Sequence, residues 1–151
     1  MTRSTSRRAS RIAGAFLCVA GLALTGCTGS DTESQVHAFL ATDADASDEL
    51  PASVDLNEID QLDRDSSRLV GERGGTQYFL AALDPTGVCV ILVDPTSGFS
   101  GASCGASPHA LALVASGTGG AQVYTAPDEI PVGWELLGDV LIVNPDATSL
   151  P

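Results

Sequence analysis

The chain is expected to fold as a mainly β domain: a small antiparallel sheet, sandwiched or curled into a meander, with one or two short N-terminal helices. Three observations predict this. Residues 77–83 (QYFLAAL) and 88–93 (VCVILV) are apolar runs too short for typical helices and bounded by turn residues. Proline turns punctuate the chain at Asp84-Pro85-Thr86-Gly87, Asp94-Pro95-Thr96-Ser97-Gly98 and Asn144-Pro145-Asp146. Proline presets φ at a turn position, and the Asp or Asn before it accepts hydrogen bonds from its own backbone. Finally, Cys89 and Cys104 flank the second of these turns.

Thr32-Glu33-Ser34-Gln35 followed by Val36, Phe39 and Leu40 is a capping-box pattern with helical apolar spacing, which predicts a short helix. Asp55 with Glu58, and apolar Leu56, Ile59 and Leu62, predict a second short helix or a turn. From Ser67 onward the character is strand and turn. Further strands are expected at 110–115, 121–125, 134–137 and 140–143, with Gly138-Asp139 as a two-residue hairpin loop between the last two. Residues 88–93 are apolar on both faces, so they should form a central strand.

The first 26 residues belong to another class. Arg3, Arg7, Arg8 and Arg11 precede the apolar, uncharged run 12–25, and no Asp or Glu occurs before Cys27. A basic segment followed by an apolar one of about 7–15 residues is the pattern of a secretory signal peptide; a membrane-spanning helix needs about 20. The run ends in Leu24-Thr25-Gly26-Cys27, which resembles the bacterial lipobox: an apolar residue, two small ones, then the cysteine that receives a diacylglyceryl group. Cys18 follows bulky Leu17 and does not fit. Ser6-Arg7-Arg8 hints at twin-arginine export, but Ser10 and Arg11 stand where that signal continues with apolar residues. Residues 1–26 are therefore expected to be cleaved, 27–49 to form the acylated cysteine and a flexible acidic tether, and 50–151 to form the domain. A flexible tether of about 22 residues would span roughly 25 Å.

Processing before Cys27 leaves 125 residues, enough for one modest domain. These carry all 19 acidic residues, only Arg64, Arg68 and Arg73 as cations, and no lysine, a formal charge of −16. Such a surface repels nucleic acid and anionic headgroups, so no nucleic acid partner is expected and the lipid must do the anchoring. With Cys18 removed and Cys27 acylated, Cys89 and Cys104 remain in an oxidising compartment, where two thiols without competitors pair. A hairpin turning between Thr96 and Ser97 places them directly opposite each other, within reach of a disulfide.

Gly101-Ala102-Ser103-Cys104-Gly105 matches the G-x-S-x-G pattern of serine hydrolases. That motif works on a sharp strand-to-helix turn in a large parallel sheet, with a histidine far downstream. Here Pro108 and a strand-like run follow, and the available histidines are His109 and His37. No catalytic residue is assigned on this basis. Asp43-Ala44-Asp45-Ala46-Ser47 and Asp63-Arg64-Asp65-Ser66-Ser67 begin like calcium loops but lack the later glycine and glutamate. Gly117-Thr118-Gly119-Gly120 lacks the Lys-Ser/Thr of a phosphate loop, and His109 has no second ligand at metal spacing, so no metal or cofactor is expected. Tyr78, Phe79 and Trp134 are expected to fill core positions rather than line a ligand surface.

Residues 66–71 (SSRLVG), 75–81 (GTQYFLA) and 87–92 (GVCVIL), with the ending Gly-x-Trp and Gly-Asp-Val-Leu-Ile-Val, resemble a pattern found in small actinobacterial lipoproteins. The resemblance covers the last two thirds of the chain and implies a secreted, cysteine-bridged β domain with no assigned activity. The expectation is a lipoprotein held on the extracytoplasmic face of the cell membrane through acylated Cys27. Its domain would be non-catalytic and would bind an envelope protein partner or serve as an accessory subunit. The alternatives are a small hydrolase or thiol enzyme using Ser103 or Cys104 with His109, and a solute-binding lipoprotein of a transporter.

Overall fold

The computed structural model describes residues 30–52, 54–55, 59–115, 117–124 and 130–151. It is mainly β, as expected: two four-stranded antiparallel sheets, one short helix and, among the described residues, no closed barrel. Helix α1 spans Ser30–Leu40. The first sheet is a meander of β1 (Leu62–Arg73), β2 (Thr76–Leu83), β3 (Gly87–Asp94) and β4 (Phe99–Gly105), in that order. After a 3-10 turn at Pro108–Ala110 comes the second sheet: β5 (Ala112–Ala115), β6 (Gly119–Val123), β7 (Glu135–Leu137) and β8 (Leu141–Asn144), in the order β5-β6-β8-β7.

Strand periodicity explains how the sheets stack. Successive side chains on a strand point to opposite faces, so Tyr78, Leu80, Val88, Val90 and Leu92 share the inner face of the first sheet. They form one core with Ala121, Val123, Leu137, Leu141 and Val143 of the second sheet. Phe79, Ala81, Cys89, Ile91 and Val93 point the other way, and Leu50 and Val54 cover them. Both faces of β3 are thus closed, and every residue of it from Gly87 to Val93 is buried, as its uninterrupted apolar run predicts.

Several expected elements shift. Helix α1 starts at Ser30, two residues before the expected cap at Thr32. Glu33 in the first turns suits the positive end of the helix dipole. Thr42 closes the helix, donating through both its amide and its hydroxyl to the Phe39 carbonyl. The β7–β8 turn uses Gly138 and Asp139, both with positive φ, and the Val140 amide donates to the Leu137 carbonyl. Leu137 nevertheless faces Leu141, so Val140 is an extra, bulged residue whose carbonyl accepts from Tyr124. The 3-10 turn replaces the start of the strand expected at 110–115.

The largest difference lies in 30–49, expected to be a flexible tether with the domain starting at residue 50. Helix α1 instead docks on the β core: Val36 is fully buried, with Phe39 and Leu40 packed against the same cluster. The chain after it is tied to β1, because Arg68 donates through Nε and Nη2 to the Thr42 carbonyl at 3.0 and 2.8 Å. Apolar side chains at helical spacing inside a polar stretch are enough to order it when a sheet offers them a surface. The centre of the expected second helix, residues 56–58, lies outside the described residues; 59–62 form a turn into β1.

Candidate functional site

Strand β4 carries the serine-hydrolase-like motif. Its register against β3 runs from Asp94 opposite Phe99 to Val88 opposite Gly105, which sets Cys89 opposite Cys104 with Cα atoms 4.1 Å apart. The two cysteines form the expected disulfide. The hairpin loop is held by Asp94, whose carboxylate accepts from the Thr96 amide at 2.8 Å and from the Ser97 hydroxyl at 2.6 Å. Those two bonds hold the Asp94 carboxyl below its usual range, the hydroxyl contributing more. Ser103 lies within the regular strand opposite Val90, not on a strand-to-helix turn, so its backbone is that of a ladder residue rather than a nucleophile elbow. Cys104 is bonded to sulfur and supplies no thiolate, and His109 lies half-buried in the 3-10 turn.

The two acidic stretches with calcium-loop beginnings come together, which the sequence did not reveal. They line an open bowl of about 180 Å³ formed by Ala44, Asp45, Asp48, Glu49, Arg64, Asp65 and Ser67. The cause is a large irregularity in β1, where Asp63 pairs with Ala82 but Arg68 already pairs with Leu80. Side chains replace the interrupted ladder. Ser66 Oγ accepts from the Ala82 amide at 2.7 Å and donates to the Asp63 carbonyl at 2.6 Å. Ser67 Oγ donates to the Asp48 carbonyl at 2.6 Å, and Asp48 Oδ1 accepts from the Leu69 amide at 2.8 Å.

A second carboxylate of the bowl, that of Asp45, is also engaged. Asp45 accepts from the Ser47 hydroxyl and amide at 2.6 and 2.7 Å, and these bonds keep its carboxyl below the usual range, the hydroxyl first. Arg64 reaches out of the bowl to the Val54 carbonyl at 3.1 Å and to that of Pro51 at 3.5 Å. Among the described residues, no group of three or more His, Cys, Asp and Glu is arranged to hold a metal ion. The bowl is a clamp: it fixes 42–54 across the outer face of the first sheet.

All three arginines after Cys27 lie on β1, and each has a structural partner. Arg64 and Arg68 hold the clamp, while Arg73 Nε pairs with Glu135 at 2.7 Å and ties β1 to β7 of the other sheet. A second hollow, of about 220 Å³, lies between His37 of α1 and the β2–β3 loop at Asp84, Pro85 and Thr86. Its lining also includes Asp63, but among the described residues no group of His, Cys, Asp and Glu there is arranged to hold a metal ion. Of the aromatics, Tyr78 and Phe79 are core residues, and Trp134 packs where a side chain on Gly120 would stand. The Tyr78 hydroxyl is buried with no hydrogen-bond partner among the described residues, although the Thr76 hydroxyl stands near it; burial pushes its pKa up to about 12.

The expected lipidation site, Cys27 with Leu24, Thr25 and Gly26, lies outside the described residues, as does the leader before it. Among the described residues, no helix is long and apolar enough to cross a membrane. The chain matches no family model, no curated protein and no solved structure.

Proposed function

We propose that this chain is a bacterial lipoprotein, acylated on Cys27 after removal of residues 1–26, that displays a non-catalytic β domain on the extracytoplasmic face of the cell membrane. The observation that carries the reading is the cysteine at the end of the apolar run, directly after Leu24-Thr25-Gly26. Two acyl chains on that cysteine hold a protein firmly, since each buried methylene contributes about 0.8 kcal/mol. The Cys89–Cys104 disulfide supports the same compartment, because such bonds persist where the surroundings are oxidising.

A binding or accessory role, with an envelope protein as partner, is the function that the domain supports best. Asp45, Asp48, Arg64, Ser66, Ser67 and Arg68 bond the chain to itself, and the residues of the hydrolase and thiol-enzyme alternatives are a mid-strand serine and a disulfide-bonded cysteine. The −16 charge after Cys27 favours a partner with a basic contact surface and disfavours nucleic acid. The test is fractionation of cells expressing wild type and Cys27→Ser. Wild type should sediment with membranes and enter the detergent phase, and the variant should do neither. A Cys27→Ser protein that still partitions with detergent would overturn the anchor.

A further inference from the structure

We propose that the docking of α1 turns the N-terminus into a short leash, holding the domain with the start of α1 toward the bilayer and limiting it to partners in the membrane-proximal layer. The inference rests on the acylation of Cys27. The stretch from Thr28 to Glu49 has the composition of a long flexible tether, and as one it would let the domain swing over roughly 25 Å. The fold removes most of that freedom. Thr32 is already buried, Val36 is fully buried, and Phe39 and Leu40 pack on the same core cluster.

The far end of the helix is closed as well. Thr42 caps α1, its carbonyl accepts two bonds from Arg68, and Asp48 is bonded to Ser67 and to the Leu69 amide. Undocking α1 would therefore expose core and break charge-assisted hydrogen bonds together. Thr32 stands only five residues after Cys27 in the sequence. Five residues reach at most about 18 Å even when fully extended. A domain of this size is roughly 35 Å across. The leash is thus about half a domain diameter, too short for the domain to turn its α1 end away from the membrane.

Two consequences follow for the partner. It must present its contact surface within about 50 Å of the bilayer, the leash plus the domain. That is the layer reached by the extracytoplasmic parts of integral and lipid-anchored membrane proteins. The partner also meets the domain with the start of α1 on the membrane side, on the surfaces away from it. The acidic domain can still keep clear of anionic headgroups, because the leash is longer than the screening length of about 8 Å at physiological salt.

Neutron reflectometry of the full-length acylated protein in a supported phosphatidylcholine bilayer tests this directly. The comparison is a variant with a twenty-residue Gly/Ser spacer between Gly29 and Ser30, which leaves every described contact intact. For wild type, the protein layer should start within about 20 Å of the headgroups and end by about 55 Å. The spacer should move its outer limit outward by roughly 25 Å and blur it. Equal profiles for the two proteins, both broad, would overturn the short leash. A wild-type chain that is not acylated and forms no protein layer would instead overturn the lipoprotein reading.

Discussion

The two faces of the first sheet are closed in different ways. The inner face, with Tyr78, Leu80, Val88, Val90 and Leu92, meets a second sheet whose strands alternate in the same rhythm. The outer face, with Phe79, Ala81, Cys89, Ile91 and Val93, is closed by irregular chain, from which, among the described residues, Leu50, Val54 and the partly buried Ile59 pack on it. Side-chain hydrogen bonds at Asp48, Arg64, Ser67 and Arg68 hold that chain in place. One face is held by area and the other by directed polar bonds. The difference teaches that a polar, acidic stretch can be structural, provided its carboxylates and hydroxyls satisfy backbone groups that a bulged strand leaves open.

The contrast can be broken or sharpened experimentally. Leu80→Ala removes a fully buried side chain between the sheets and should destabilise the fold by about 3–4 kcal/mol in urea unfolding. A cost below about 1 kcal/mol would mean that the two sheets do not share a packed core. Replacing Cys89 and Cys104 together by alanine should cost roughly 3 kcal/mol, the chain-entropy value for a loop of about 15 residues. Adding reductant should then leave the double variant unchanged while lowering wild type toward it.

Tyr78 gives a pH test of the inner face. Its pKa is raised from 10.0 to about 12 when folded. Below pH 10 both states keep the proton and nothing changes; between pH 10 and 12 the unfolded state loses it first, so stability falls with rising pH. The fall should be at most about 2–3 kcal/mol, and Tyr78→Phe should lack that part of it. A Tyr78→Phe curve that tracks wild type through this window would show the phenol to be hydrated. The smallest effect belongs to the clamp. Asp48→Ala leaves the Leu69 amide without its acceptor and should cost about 1–2 kcal/mol. Hydrogen exchange should quicken at Leu69 and in 42–54 before it does in β3. Uniform quickening across both faces would erase the distinction drawn here.

The regular half of the molecule was legible in the sequence. Unbroken apolar character marked β3 as central, and the proline turns marked the hairpins. The turn midpoint between Thr96 and Ser97 brought Cys89 opposite Cys104, which the register reproduces. What escaped was β1, a twelve-residue strand reading LDRDSSRLVGER. Its first half shows no apolar alternation because the bulge interrupts the period and serines stand in for ladder bonds. Gly74-Gly75, both with positive φ, close the β1–β2 hairpin and were the available signal that a strand precedes residue 74. The clamp was illegible for another reason: Thr42 and Arg68 are 26 residues apart, and no local pattern encodes their meeting. Helix α1 was visible in its spacing, but its docking depended on a surface built by residues much farther along.

Intact mass reads the proposed lipid on Cys27 and the Cys89–Cys104 disulfide in one experiment. The protein would be extracted in detergent from its membrane and treated with an alkylating agent before and after reduction. The expected mass is that of a chain that begins at Cys27, carries at least a diacylglyceryl group, and takes up two alkyl groups only after reduction. A chain that retains residues 1–26, or begins at Cys27 without lipid, or is alkylated at Cys89 and Cys104 without reduction, would contradict it.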